Sequence, residues 1–71
     1  MALKTVSTKW LLQLAARIEK HADESLKIWI ILGQTDRYSA DMGKAAVLRR
    51  AAGMENIAQR RAFLSVNGVE V

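Results

Sequence analysis

The chain has 71 residues, of which 51% are hydrophobic, and its net charge is +4 at pH 7. A chain of this length forms one domain at most, and it buries only about 60% of the surface that the unfolded chain exposes. It has no cysteine and one histidine, which excludes a disulfide framework and leaves a zinc site short of ligands. We therefore expect a single domain over 1–71 that binds no metal and no cofactor.

The first predicted element is a helix over about 8–32. Ser7 or Thr8 can cap its start, because a hydroxyl group there accepts a hydrogen bond from a free N–H of the first turn. Apolar residues then recur with helical spacing as far as Leu32. Gly33 lies where a helix commonly ends with a residue in the left-handed conformation.

A polar, turn-like segment over 33–39 is expected to link this helix to a second one. The second predicted helix covers about 40–64, and Thr35, Asp36 and Ser39 are candidate caps for it. Residues 65–71 are predicted to form a flexible tail or, because they alternate around Asn67-Gly68, a short strand added to another protein. The sequence thus predicts an all-α helical hairpin with two long antiparallel helices.

The apolar surface of the first predicted helix is wider than one partner helix can cover, at roughly 200° of its circumference. A second copy would cover the remainder and give a homodimeric four-helix bundle. The alternative is a monomer with an exposed apolar flank. The predicted dimer interface consists of Leu11, Leu14, Ile18, His21, Ala22, Ser25, Leu26 and Trp29.

Two arginine pairs form a candidate binding surface on the second predicted helix. Arg49-Arg50 and Arg60-Arg61 are 11 residues apart, close to three helical turns, so one continuous helix would stack them on one side. Guanidinium groups in such a ladder suit phosphates or a row of carboxylates. The alternative is a solvated face that keeps the protein soluble.

The link between the helices is the second candidate binding surface. Arg37 and Tyr38 are residue types enriched at binding hot spots. Ile31 lies among charged residues on its helix, so it has no predicted place in the core. We expect partner-binding residues at Ile31, Gln34, Asp36, Arg37 and Tyr38, together with the arginines Arg49, Arg50, Arg60 and Arg61. The alternative is that Tyr38 folds back over Trp29 or Leu32.

No catalytic signature is present. His21 lies at a core-facing or interface position, and with Ser25 alone it lacks the third group that orients a catalytic base. We therefore predict that the protein is not an enzyme. The apolar run 28–32 is too short to span a bilayer, and no secretory signal is found. These features predict a cytoplasmic protein without membrane contact.

The layout of the whole chain resembles small bacteriophage proteins that fold as dimeric helical hairpins and shut down host functions. Among them are anti-activators that block quorum-sensing transcriptional regulators. The resemblance implies a protein-binding inhibitor that occludes a regulatory protein in the host cytoplasm. The RNA-binding hairpin dimers that control plasmid copy number share the same plan. The second hypothesis is therefore a dimeric RNA- or DNA-binding regulator that uses the arginine ladder.

Overall fold

The computed structural model describes residues 6–69 and contains three α-helices in that range. These are α1 (Thr8–Ile31), α2 (Asp36–Ala52) and α3 (Ile57–Val66). The all-α prediction is confirmed. The predicted two-helix hairpin differs from the structure, because α2 and α3 together occupy the part of the chain that was expected to form one long helix.

Local signals fix both ends of α1 as the sequence predicts. The Ser7 side chain accepts a hydrogen bond from the backbone N–H of Trp10 at 3.2 Å. At the other end Gly33 has a φ of +68°, and the N–H of Gln34 donates to the carbonyl of Trp29 at 2.7 Å. This is a Schellman ending, in which a residue with a side chain at position 33 would be strained.

The link between α1 and α2 is shorter than predicted. The backbone N–H groups of Tyr38 and Ser39 already donate to the Thr35 carbonyl, so helical hydrogen bonding is established from the start of α2. Asp36, Arg37 and Tyr38 therefore belong to the first turn of α2. The predicted loop over 33–39 is reduced to 32–35.

A second break replaces the middle of the predicted second helix. α2 ends at Ala52, and α3 begins at Ile57. Asn56 caps the start of α3, because its side chain accepts a hydrogen bond from the N–H of Gln59 at 3.1 Å. Asparagine competes for backbone hydrogen bonds inside a helix but stabilises a helix start, and glycine at position 53 further weakens helical continuity.

The segment predicted as a flexible tail is ordered as far as Val69. Ser65 and Val66 belong to α3, and Gly68 then adopts a φ of +80°. The N–H of Val69 donates to the carbonyl of Leu64 at 2.8 Å, and both side chains are buried in the core. The tail prediction is therefore wrong for 65–69, because Asn67-Gly68 forms a helix ending instead of a strand turn. Residues 70–71 lie outside the described residues.

The core is concentrated at the end of the molecule away from the α1–α2 link, which we call the core end. α1 packs antiparallel to α2, and α3 packs against the C-terminal half of α2. One cluster joins residues from the start of α1, the second half of α2 and α3, namely Val6, Leu11, Ala15, Ala45, Leu48, Ala51, Ala52, Leu64 and Val69.

Two of the predicted dimer-interface residues are buried within the single chain. Leu11 and Ala22 have no exposed surface in the monomer. Their assignment to an interface between copies is therefore wrong, because packing inside the chain already covers them.

No helix within residues 6–69 is long and apolar enough to cross a membrane.

Candidate protein-binding site

Four large aliphatic side chains surround the end of α1 next to the link. Ile28, Ile30, Ile31 and Leu32, together called the hairpin tip, are each between 58% and 76% exposed. Burying one such side chain contributes about 1.5–3 kcal/mol, so leaving four uncovered forgoes a large stabilising term. Clustered exposed apolar residues in a single chain are typical of a surface that contacts another molecule.

The polar residues predicted at the link lie beside the hairpin tip, but they are not equally free. Asp36 and Arg37 are exposed, and Gln34 is half-buried. Tyr38 is half-buried, and its hydroxyl donates a hydrogen bond to the Asp23 carboxylate at 3.3 Å. The negative charge of Asp23 raises the pKa of Tyr38 above its ordinary value of 10.0. Tyr38 therefore ties α2 to α1.

The four arginines do not form a ladder. Arg49 makes two hydrogen bonds to the Glu19 carboxylate on α1, and the guanidinium group of Arg50 lies over the Phe63 ring at 5.9 Å from its centre. Arg61 is exposed on α3. The break between α2 and α3 removes the continuous helix that the stacking required, so the ladder prediction is wrong.

Arg60 was predicted to bind a partner, and its environment in the structure differs most from that prediction. Only 5% of it is exposed, and its guanidinium group donates hydrogen bonds to a backbone carbonyl before α1, to carbonyls at and after the end of α2, and to a hydroxyl group. The acceptors are the carbonyls of Val6, Ala52 and Met54 and the hydroxyl of Thr8. A positive charge at the C-terminus of α2 is also favourable toward the helix dipole. Arg60 therefore holds the core end together and is not available to a partner.

The Glu19–Arg49 pair gives stability a defined pH dependence. Hydrogen bonding to Arg49 lowers the pKa of Glu19 below its ordinary value of 4.5. The stabilisation is therefore present above pH 4.5 and is lost as pH falls through the lower pKa of the folded state. We expect Glu19→Gln to lower the melting temperature at neutral pH and to have no effect well below pH 4.5.

Thermal melts across this pH range, followed by circular dichroism, check the prediction. Glu24→Gln is the matched control, because Glu24 and Lys20 are both well exposed and 4.0 Å apart, a distance at which an ion pair contributes little. A Glu19→Gln effect that persists at the lowest pH would show that the glutamate acts through packing and not through its charge.

The remaining residues of the predicted dimer interface are half-buried, except for His21, which is exposed. Leu14 and Ile18 pack against the core, while Ser25 and Leu26 are half-buried. His21 is exposed, and its ring meets the edge of the half-buried Trp29 ring at 6.2 Å between ring centres. His21 thus lies at the surface of the monomer.

A groove between α1 and α2 brings together charged residues that the sequence did not link. It has a volume of about 310 Å³ and is lined by Arg17, Ile18, His21, Asp41 and Lys44. Arg17 and His21 are one turn apart on α1, and Asp41 and Lys44 are one turn apart on α2. The spacing within each pair could be read from the sequence. The proximity of the two pairs could not, because it depends on the antiparallel packing of α1 and α2.

Within residues 6–69, no three His, Cys, Asp or Glu side chains are grouped as a metal site would require. Comparison with protein-family models, with curated proteins and with solved structures finds no match to this chain. The hairpin tip and the groove are the features of the chain that bear on its function.

Proposed function

We propose that this chain is a small non-enzymatic protein that binds a regulatory protein through the hairpin tip and blocks it by covering its functional surface. The observation that carries the proposal is the exposure of Ile28, Ile30, Ile31 and Leu32 at the end of the molecule that has no core. The bacterial host and the cytoplasm are the setting that the resemblance to phage anti-activators implies.

The position of the hairpin tip suits occlusion of a partner. It is the far end of a two-helix hairpin, and α3 packs near the opposite end, so nothing in the described residues covers it. Arg37 lies exposed beside the aliphatic side chains and supplies forked hydrogen-bond donors at the rim. An apolar centre with a polar rim is the usual composition of a protein–protein interface.

A homodimer is part of the proposal, with a different interface from the one that the sequence predicted. Leu11 and Ala22 are enclosed, so a second copy has to use a surface of α1 that remains exposed away from the hairpin tip, such as that of Leu12. Sedimentation equilibrium measures this directly. A molecular mass that stays monomeric over the accessible concentration range would remove the dimer from the proposal.

Site-specific photo-crosslinking tests the binding proposal. A crosslinking amino acid is placed at Ile31 on the hairpin tip, and in a matched variant at Val66, which is 86% exposed on α3. In bacterial cells the Ile31 probe is expected to capture a regulatory protein that the Val66 probe does not capture. The purified partner should then lose its own binding activity in the presence of the unmodified chain.

The matching substitutions are Ile31→Asp and Val66→Asp. Because both side chains are exposed, neither change is expected to alter the free energy of unfolding by more than about 0.5 kcal/mol. Ile31→Asp should abolish inhibition of the partner, and Val66→Asp should leave it intact. Equal inhibition by the two variants, or crosslinks from position 31 to a second copy alone, would contradict the proposal.

A further inference from the structure

The groove between α1 and α2 carries charge that the fold does not use. In the part of the chain that the structure describes, the ion pairs join Glu19 to Arg49 and Lys20 to Glu24. Arg17 and Lys44 take part in neither pair, although both line the groove. Two cations and the single carboxylate of Asp41 leave the groove with one net positive charge when its histidine is neutral.

The groove lies on the same face of α1 as two residues of the hairpin tip. Ile18 both packs against the core and lines the groove, so the groove begins where the core ends. Ile28 lies on α1 and Leu32 is the residue that caps its end, and they follow His21 by seven and 11 positions. This spacing places all three on one face of the helix, because seven and 11 residues are close to two and three turns. Basic and apolar groups therefore form one strip, defined by Arg17, His21, Lys44, Ile28 and Leu32.

We infer that this strip binds an amphipathic helix of the partner protein, with a carboxylate of that helix placed between Arg17 and Lys44 and its apolar residues on Ile28 and Leu32. The inference rests on the proposed function and specifies the chemistry of the partner. A groove between two packed helices accepts a third helix, whose residues at i, i+3, i+4 and i+7 face it. One net positive charge in the groove matches one carboxylate.

A nucleic acid fits the strip less well. The Asp41 carboxylate lies in the groove and repels a continuous phosphate backbone. Among the residues that line the groove, the one aromatic ring is that of His21, and it already lies against the Trp29 ring, so no row of rings is present on which successive bases could stack. A single carboxylate on a helix needs only the two cations, and it can be positioned away from Asp41.

The test uses a synthetic peptide as the probe. It has about 15 residues, enough to form a helix, with glutamate and leucine at helical spacing among alanines. It is titrated into the full chain labelled with ¹⁵N, and backbone amide signals are followed by NMR. Signals from the groove and from Ile28 and Leu32 are expected to shift together. A control peptide with glutamine in place of glutamate should bind about tenfold more weakly, because it lacks the charge.

Two matched variants separate a local effect from net charge. Lys44→Glu and Lys20→Glu change the charge of the protein equally, and both residues are exposed on helices. Lys44→Glu should reduce affinity for the glutamate peptide at least about tenfold, because it places a carboxylate against a carboxylate. Lys20→Glu should change it little. Equal losses in the two variants, or equal affinity for the two peptides, would overturn the inference.

Three further outcomes would also overturn it. These are peptide-induced shifts confined to the hairpin tip, groove signals that shift with protein concentration in the absence of peptide, and displacement of the peptide by a short RNA. The second outcome would assign the strip to another copy of the chain, and the third would assign it to phosphate. Ile31 lies off the strip, so Ile31→Asp should keep peptide binding. Failure of the proposed function is thereby distinguished from failure of this inference.

Discussion

Arg60→Ala is expected to lower the free energy of unfolding by about 3 kcal/mol, because a hydrogen bond to a charged group contributes about 1.5–3 kcal/mol and several are lost together. The guanidinium group of Arg60 connects the chain before α1, the C-terminal end of α2 and α3. Without it, the carbonyls of Val6 and Ala52 lose a donor in a buried setting, which costs further free energy. Urea unfolding followed by far-UV circular dichroism measures the change.

Two variants control the Arg60 experiment. Arg61→Ala removes the neighbouring exposed arginine and should change stability by less than about 0.5 kcal/mol. Arg60→Lys keeps the charge but replaces a planar fork with three donors on one atom, so it should recover only part of the loss. If the two alanine variants had the same stability, the hydrogen bonds of Arg60 would not be the source of the effect.

The ends of α1 could be predicted from sequence because their signals are local. A hydroxyl at position 7 caps the first turn of the helix that it precedes, and a glycine at position 33 is the residue best suited to a φ of +68°. Neither feature depends on what packs against the helix. The all-α class followed from the helical spacing of apolar residues, together with the absence of proline.

The prediction of an arginine ladder was wrong because it required an uninterrupted helix. Arg49 and Arg60 align only if the chain keeps helical geometry through 53–56, and the structure breaks there. Asn56 is of a residue type that caps helix starts, and its side chain accepts from the N–H of Gln59 at the start of α3. The role of Asn56 as a cap depended on tertiary packing. α3 folds back onto α2, and the Arg60 side chain then reaches the carbonyls at the end of α2.

The full extent of the exposed apolar surface could not be predicted from sequence alone. The sequence indicates that α1 is apolar over much of its circumference. Which of those residues are covered depends on where α3 lies, and α3 was not expected as a separate helix. The structure places α3 at the core end, where Leu64 joins the buried cluster, and leaves Ile28 and Leu32 uncovered. Ile31 was correctly expected to have no place in the core.

The second large effect is expected at Leu48, in the middle of the core end. Its side chain is fully buried in the cluster that joins all three helices. Leu48→Ala removes buried apolar surface and leaves a cavity, which together cost about 2–5 kcal/mol. For a domain whose total stability is about 5–15 kcal/mol or less, this loss unfolds a measurable fraction of molecules. Thermal and urea unfolding of the purified variant measure it.

Leu32→Ala is the matched control, because it makes the same chemical change on the hairpin tip. Leu32 is 60% exposed, so its replacement should cost less than about 0.5 kcal/mol. A large loss from Leu32→Ala would show that another copy or segment covers the hairpin tip in solution. If the contrast holds, the four aliphatic residues of the tip do little for folding, and their exposure requires a reason outside the chain. A binding partner supplies that reason, since it would bury them on contact and leave the free protein stable through its core end.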